Sequence, residues 1–295
     1  MKSNASENSG TGREGDMMMK QAVKKIINAS LKSRGFRLCR TDDQTGSTWE
    51  YDYLLQKYRT LITEVDGCLS EYVFPNLLPC PGRIDLMTKL VGTPVGEAFY
   101  IIAHLQKSLN LFGDVCEFGV AQGATSALLA NEIRSTEKTL WLFDSFKGLG
   151  KPSEKDLLID DIFNLGTIDK YEGKMVSRVD EVESRLKVIS FPSSRVKVIP
   201  GFIEDTIKYT NLPEKVCFAY VDFDFYSPIS IALRFVNEHL VVGGFIVVDD
   251  YGFFSSGAKT AVDEFLREYR HTYETIVPSQ FANQSAPFVV LRKGA

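Results

Sequence analysis

The sequence of 295 residues lacks a CxxC pair and any hydrophobic run of the roughly 18 residues that a membrane span requires. Its five cysteines are scattered, and two of them lie in strand-like runs, which indicates reduced thiols and argues against a disulfide framework or a zinc site. The formal net charge is only −4, with both signs mixed along the chain, so no basic field indicates nucleic-acid binding. The first residues are polar where a signal peptide would be apolar. We therefore expect a soluble, cytoplasmic protein without a transmembrane segment.

The N-terminal part differs in composition from the rest of the chain. Residues 1–16 are small and polar, which predicts a disordered tail. Residues 17–33 place apolar positions at helical spacing opposite several lysines, as in a helix that docks on its own domain or lies on a membrane surface. The pattern predicts a helical N-terminal extension or lid over residues 17–82, interrupted by the proline-rich stretch FPNLLPCPGR.

Residues 83–295 alternate between short apolar runs and helical segments. The runs are DVCEFGV, TLWLFDS, RVKVIPG, VCFAYVDFD and GGFIVVDDY, followed without an intervening helix by YETIVP and APFVVLRK. This order predicts an α/β fold with a doubly wound, mostly parallel seven-stranded sheet that ends in an antiparallel pair. Residues 146–194 are long for one connection, and we interpret them as an insertion with its own helix near the carboxyl edge of the sheet.

A glycine-containing loop follows the first predicted strand in the stretch EFGVAQGATSALLA. Gly119 and Gly123 suit a tight turn and a close ligand approach, although Ala121 occupies the middle position of a dinucleotide fingerprint. Glu117 would repel pyrophosphate and favour a cation. Asp144, at the end of the second strand, can accept hydrogen bonds from ribose hydroxyls. This combination favours S-adenosylmethionine, which carries an ammonium and a sulfonium. Capping of the following segment by Asp144, or an ion pair of Glu117 with a nearby Lys or Arg, would also explain these residues.

Four carboxylates end the fourth and fifth predicted strands. Asp222 and Asp224 follow one strand, and Asp249 and Asp250 follow the next, so their tips should lie about 5 Å apart. Four carboxylates at this distance require a counter-cation, and an all-oxygen ligand set favours Mg²⁺. Strand alternation predicts that Asp222 and Asp224 point to the same face, so that one binds the ion while the other removes a proton from a hydroxyl. The alternative is that these aspartates cap the following helices.

The chain resembles a known family over roughly residues 83–292. The motifs DVCEFGVAQGATS, FDSFKGL, VDFDFYSP and GGFIVVDDYGFFSSGAKTAVDEF, in this order, are similar to those of the macrocin O-methyltransferase (TylF) family. These are metal-dependent S-adenosylmethionine enzymes that methylate sugar hydroxyls of natural products. The glycine loop GVAQGA and the N-terminal region depart from the family pattern, which leaves the acceptor open.

The resemblance implies roles for particular residues. It implies that Mg²⁺ is held by Asp222, Asp249 and Asp250 and that Asp224 is the general base. It also implies that the residues around the methyl donor include Glu117, Gly119, Ser126, Asp144 and Ser145. A tyrosine after the two aspartates belongs to the same pattern and is present as Tyr226.

We therefore expect a Mg²⁺-dependent O-methyltransferase that acts on a hydroxyl of a sugar or glycosylated small molecule. Two alternatives remain open: a catechol-type O-methyltransferase with a phenolic acceptor, and a non-catalytic binding protein that keeps this fold. A sugar-nucleotide dehydrogenase is less consistent, because the Tyr-x-x-x-Lys pair that its chemistry needs is absent near the predicted strand ends. A homo-oligomer is compatible with the sequence.

Overall fold

The computed structural model describes residues 48–278 and 287–295. The predictions for the tail and for the amphipathic segment 17–33 lie outside these residues. The helices are α1 (Thr48–Tyr72), α2 (Arg83–Met87), α3 (Val95–Ser108), α4 (Ala124–Glu132), α5 (Val179–Val188), α6 (Ile203–Thr206), α7 (Tyr226–His239) and α8 (Ser256–Glu268). The strands are β1 (Asp114–Phe118), β2 (Leu140–Asp144), β3 (Val196–Pro200), β4 (Val216–Val221), β5 (Leu240–Val248), β6 (Tyr273–Ile276) and β7 (Val289–Lys293).

The strands form one seven-stranded sheet in the order β3-β2-β1-β4-β5-β7-β6. Strands β1 to β5 pair in parallel, and β7 pairs antiparallel with both β5 and β6. The predicted doubly wound, mostly parallel sheet is therefore confirmed. The strand order reverses between β1 and β4, and at such a point the carboxyl ends of the strands leave a crevice that can hold a ligand.

Both faces of the sheet are covered, as the continuous apolar character of its strands predicts. Val115 and Tyr220 belong to the core that the strands share with α3 and α4. Cys116, Phe118 and Ala219 point the other way and pack in the core shared with α7 and α8. This alternation along β1 and β4 determines which side chains reach the helices on each side.

The two strands that carry the acidic residues end earlier than predicted. β4 ends at Val221 and β5 ends at Val248, so the predicted extents of these strands, to residues 224 and 251, are wrong. Asp224 and Asp250 have φ angles of 63° and 55°, in the left-handed region that few residues other than glycine adopt. The turns after the strands, and not the alternation of a strand, therefore orient these two side chains.

The connection between β2 and β3 contains a 3₁₀ helix (Ile168–Tyr171) and α5, in agreement with the predicted helix of the insertion. Its aromatic residue Tyr171 forms a small buried cluster with Phe225 and Phe254, which follow β4 and β5. The insertion thus packs against the carboxyl edge of the sheet. The four cysteines of the described residues are free. Within the same residues, none of the helices has the length and apolarity to span a bilayer.

Candidate active site

One row of paired residues crosses the sheet next to the crevice. Glu117 on β1 is in register with Tyr220 on β4, which is in register with Val247 on β5. Asp222 and Asp249 each lie two residues beyond this row and follow the same side of the sheet. The Tyr220 hydroxyl is 3.3 Å from Oδ2 of Asp222 and 3.4 Å from Oδ2 of Asp249. The parallel register therefore brings side chains from three strands to one end of the crevice.

Three carboxylates converge where β4 and β5 end. Asp222, Asp224 and Asp250 each offer an oxygen, and these oxygens all lie within 4.8 Å of one another. The side chains of Asp224 and Asp250 are close enough to hydrogen-bond to each other, which requires a proton shared between the two carboxyl groups. The structure thus brings three of the four predicted aspartates together at one point.

Asp249 lies beside this cluster. Its Oδ1 accepts a hydrogen bond of 2.7 Å from the backbone N–H of Asp250, and its carboxylate faces Glu97 and Tyr220. Glu97, in the first turn of α3, is completely buried, and no N–H or O–H of the described residues bonds to either of its carboxyl oxygens. Burial, and then the carboxylate of Asp249, raise the pKa of Glu97 well above its ordinary value. The assignment of Asp249 as a metal ligand stays a prediction.

Glu97 is absent from the residues predicted as site members. Its signal in the sequence is one charged residue within the apolar stretch VGEAFYIIAHL. A fully buried carboxylate without a partner is rare, and a glutamate in a helix usually faces solvent. Its approach to β4 and β5 depends on how α3 crosses the sheet, which the sequence pattern does not contain.

Asp222, Asp224, Asp249 and Asp250 form the acidic end of the crevice, and the surrounding protein does not balance their negative charge. Burial raises the pKa of Asp222 well above its usual range, and the carboxylates of Asp249 and Asp250 add to this effect. Burial and the Asp222 carboxylate do the same to the pKa of Asp224. Such a group must either take up protons or bind a cation. The donor set of the three converging residues consists of carboxylate oxygens alone, so it fits a hard divalent ion such as Mg²⁺.

The glycine loop between β1 and α4 lies against the acidic end. Gly119 has a φ of +90°, and a Cβ atom at this position would lie 1.7 Å from the backbone oxygen of Asp222. Gly123 has a φ of +79° and precedes the first residue of α4. Glycine is required at position 119 because the loop and the β4 end approach this closely.

Glu117 lies under this loop with one oxygen unpartnered. Its Oε2 accepts a 2.5 Å hydrogen bond from the hydroxyl of Ser126 on α4. Its Oε1 is buried, and no donor among the described residues reaches it. Burial raises the pKa of Glu117 well above its ordinary value. A buried carboxylate with a free acceptor oxygen fits a cationic group of a bound ligand, such as an ammonium.

Asp144 ends β2 and holds the glycine loop. Its carboxylate accepts hydrogen bonds from three backbone N–H groups, those of Val120 (2.8 Å), Ala121 (3.0 Å) and Phe146 (2.6 Å). The next residue, Ser145, donates a 2.7 Å hydrogen bond to the carbonyl oxygen of Gly148. Asp144 therefore stabilises the loop and the start of the following segment, and contact with ribose hydroxyls stays a prediction.

The helices after β4 and β5 do not use the aspartates as caps. The N-cap of α7 is Phe225, which makes no side-chain cap bond. The N-cap of α8 is Ser255, whose hydroxyl accepts a 2.9 Å hydrogen bond from the backbone N–H of Gly257. The capping alternative for the acidic residues is therefore wrong for these two helices.

Two solved structures share this fold. The O-methyltransferase NovP aligns with a TM-score of 0.57 at 21% identity, over 68% of this chain and 81% of the NovP chain. The calicheamicin methyltransferase CalS11 aligns with a TM-score of 0.51 at 18% identity, over 88% of this chain and 100% of the CalS11 chain. The sheet and its helices therefore have the Rossmann-like fold of these two methyltransferases.

Sequence comparison assigns the chain to a family within this class. The model of the macrocin O-methyltransferase (TylF) family matches residues 102–278, and the chain belongs to that family. It is therefore an O-methyltransferase, and membership implies S-adenosylmethionine as the methyl donor. The resemblance predicted from the motifs is confirmed.

Two relatives with named activities illustrate the similarity. The 8-demethyl-8-(2,3-dimethoxy-alpha-L-rhamnosyl)-tetracenomycin-C 4'-O-methyltransferase of Streptomyces olivaceus is 24% identical over 235 residues, which are 75% of this chain and 84% of that protein. The mycinamicin III 3''-O-methyltransferase of Micromonospora griseorubida is 28% identical over 163 residues, which are 54% of this chain and 60% of that protein.

Proposed function

We propose that this enzyme transfers a methyl group from S-adenosylmethionine to a hydroxyl of a sugar or glycosylated small molecule, and that the reaction depends on Mg²⁺. The observation that carries the proposal is the convergence of Asp222, Asp224 and Asp250 beside the glycine loop, where one oxygen of each carboxylate lies within 4.8 Å of the others. The named activities of the tetracenomycin and mycinamicin relatives support a saccharide acceptor.

The donor end would hold S-adenosylmethionine through residues of β1, β2 and α4. The unpartnered Oε1 of Glu117 would accept from the ammonium group of the methionine part, and Asp144 would accept from the ribose hydroxyls. The other residues that we place around the methyl donor are Gly119, Gly123, Ser126 and Ser145. Together these groups would position the methyl donor next to the end of β4, which the glycine loop contacts directly.

The cation end would hold Mg²⁺ and the acceptor hydroxyl. Asp222 and Asp250 would bind the ion, with Asp249 as a further ligand. When bound, Mg²⁺ lowers the pKa of a coordinated hydroxyl. Asp224 would accept the hydroxyl proton as the oxygen forms its bond to the methyl carbon, while the bond from this carbon to the donor sulfur breaks.

We also propose the extent of the catalytic unit within the chain. We place it at residues 83–295, with the insertion at 146–194 beside the acceptor site and residues 17–82 as an extension. The four free cysteines of the described residues are consistent with a reducing, cytoplasmic location.

An acceptor screen tests the proposed activity. The full chain is incubated with S-adenosylmethionine, Mg²⁺ and either glycosylated or phenolic compounds, and methyl gain is read by mass spectrometry. We expect methylation of a sugar hydroxyl. Methylation confined to a catechol ring would contradict the acceptor class and favour the catechol-type alternative.

The variant Asp222→Ala tests the cation site. It removes one of the three converging carboxylates, so we expect no detectable Mg²⁺-dependent methyl transfer while S-adenosylmethionine still binds, because Glu117 and Asp144 lie on other strands. Binding of S-adenosylmethionine, measured by calorimetry, is the control that the donor end of the variant is folded. Normal turnover of this variant would contradict the metal assignment.

A further inference from the structure

A buried aspartate in the insertion connects it to the acidic end. Asp156 is 2% exposed, and the reaction as proposed above does not use it. Its Oδ2 accepts two hydrogen bonds of 2.7 Å, from the backbone N–H and the hydroxyl of Ser153, within the insertion. Its Oδ1 accepts a 2.8 Å hydrogen bond from the backbone N–H of Tyr226 and lies 3.3 Å from the hydroxyl of Ser255. One carboxylate thus joins three separate segments.

The two partners of Oδ1 lie next to the acidic residues. Residues 222–225, which we call the β4 turn, contain Asp224. Tyr226 follows this turn directly as the first residue of α7. Ser255 ends the β5 loop, residues 249–255, and its hydroxyl is 3.0 Å from the backbone carbonyl oxygen of Asp224. Asp156 and Ser255 therefore connect the β4 turn, the β5 loop and the insertion in one hydrogen-bonded group.

The contact is closely packed. A Cβ atom on Gly257 would lie 1.7 Å from Oδ1 of Asp156 and 2.6 Å from the backbone nitrogen of Tyr226. Glycine at this position lets α8 approach the carboxylate. The backbone N–H of Ile159 also donates to the carbonyl oxygen of Phe254 at 3.0 Å, which pairs the insertion with the β5 loop.

The β4 turn and the β5 loop each contain an aspartate with an uncommon backbone conformation. Asp224 and Asp250 adopt left-handed φ angles of 63° and 55°. A residue other than glycine keeps this conformation when the surrounding structure holds it there. The hydrogen bonds of Asp156 act on the segments that contain these two residues.

We propose that Asp156 is a positioning residue that holds the β4 turn and the β5 loop in the conformation in which Asp222, Asp224 and Asp250 converge. The inference depends on the proposed function, because it gives the converging carboxylates their role in cation binding and methyl transfer. Asp156 does not bind the substrate itself, and it acts through the backbone of Tyr226 and the hydroxyl of Ser255.

The variants Asp156→Asn and Asp161→Asn form a matched pair. An asparagine at position 156 keeps one acceptor oxygen, but its NH₂ group faces one of the two sets of donors. Asp161 also lies in the insertion and accepts from the Tyr171 hydroxyl at 2.6 Å and from the backbone N–H groups of Leu165 and Gly166 at 2.8 and 2.7 Å, all within the insertion. The hydrogen bonds that the second variant changes therefore lie within the insertion, and none of them reaches the backbone of the β4 turn or the β5 loop.

The readouts are Mg²⁺ affinity by calorimetry with S-adenosylmethionine bound, kcat, and the affinity for the methyl donor. For Asp156→Asn we expect Mg²⁺ affinity and kcat to fall by about 10- to 100-fold, the range typical of residues that orient metal ligands. Methyl-donor affinity should stay at the wild-type value. Asp161→Asn should keep wild-type Mg²⁺ affinity and kcat even where its melting temperature falls.

Wild-type Mg²⁺ affinity and kcat in Asp156→Asn would overturn the inference, as would equal losses in both variants. If Asp156→Asn does not fold, Ser255→Ala takes its place, because it removes the hydroxyl between Asp156 and the Asp224 carbonyl. Ser255→Ala should lower Mg²⁺ affinity in the same direction, and an unchanged affinity would overturn the inference. A wild-type enzyme that binds no Mg²⁺ would instead refute the proposed function, and the kcat of the two aspartate variants would then decide the role of Asp156.

Discussion

The donor end and the cation end of the crevice contain similar carboxylates with different partners. Asp144 at the donor end accepts hydrogen bonds from three backbone N–H groups. Asp224 and Asp250 at the cation end instead face each other, and the hydrogen bond between their side chains requires a shared proton. The donor end is therefore organised by the protein itself, whereas the cation end holds charge that an added ion would balance.

The two ends are in direct contact through Gly119, whose missing side chain lets the glycine loop lie against the backbone of Asp222. A methyl donor in the loop and a hydroxyl at the carboxylates would thus be neighbours without a large movement of the sheet. Such fixed proximity contributes to the rate of a transfer between two bound molecules. We therefore expect changes at the cation end to affect kcat or Mg²⁺ binding, and changes at the donor end to affect the affinity for S-adenosylmethionine.

Among the next three tests, the largest expected effect comes from Asp224→Asn at the cation end. A general base contributes about 10²- to 10⁴-fold to a rate, so kcat should fall in this range. Asparagine keeps an oxygen that can coordinate a cation, and the Mg²⁺ concentration for half-maximal activity should change much less than kcat. Steady-state kinetics of the full chain with varied Mg²⁺ measures both quantities.

Two other outcomes would revise the role of Asp224. A kcat equal to that of the wild type would remove Asp224 as the base. A large increase in the Mg²⁺ requirement with an unchanged maximal rate would make it a metal ligand, which its place among the three converging carboxylates also permits.

An intermediate effect is expected from Glu117→Gln at the donor end. The change removes the negative charge from the carboxyl group whose Oε1 is unpartnered. A hydrogen bond to a charged group contributes about 1.5–3 kcal/mol, so the affinity for S-adenosylmethionine should fall by roughly 10- to 100-fold. Calorimetry with the methyl donor measures this loss. Mg²⁺ affinity is the control, and a variant that lost Mg²⁺ binding but kept the methyl donor would reverse our assignment of the two ends.

The smallest expected effect is a pH dependence of the stabilisation by Mg²⁺. Burial, and then the carboxylate of Asp250, raise the pKa of Asp249 to about 8, and burial raises the pKa of Asp222 and Asp224. Groups with a raised pKa in the folded state stabilise it fully below their unfolded pKa of about 3.9, and this contribution is lost as the pH rises through the folded pKa. Bound Mg²⁺ should offset that loss, because its ligands must be deprotonated.

Thermal unfolding with and without Mg²⁺ measures this effect. The rise in melting temperature that Mg²⁺ causes should be larger at about pH 8 than at about pH 6, and Mg²⁺ at 100 times its dissociation constant stabilises by about 2.7 kcal/mol. Asp222→Ala is the control and should lose most of the rise. A rise in the wild type that decreased with pH would contradict the proposed protonation of the cation end.

The sequence contains the information for the fold and for the residues that follow the strands. Short apolar runs identified all seven strands, and the parallel order explains why Glu117 and Asp222 meet at one crevice. These features depend on local pattern and on general rules of strand connection. The ends of β4 and β5 were predicted less well, because apolar and aromatic residues continue past each strand into a turn whose aspartate has a left-handed φ.

Two residues of the site depend on contacts far apart in the chain. Glu97 reaches Asp249 from a helix that precedes β1, and Asp156 reaches the backbone of Tyr226 over 70 residues. Neither residue belongs to a motif with a fixed spacing. Their positions follow from how α3 and the insertion pack on the sheet, which depends on many side chains together.

The most direct test of the difference between the two ends is a calorimetric Mg²⁺ titration of the wild type and of Asp222→Ala, both with S-adenosylmethionine bound. We expect saturable binding of one Mg²⁺ per chain in the wild type, and strongly weakened binding in the variant with unchanged affinity for the methyl donor. A wild type that binds no Mg²⁺ and keeps full turnover in the presence of a chelator would contradict the account.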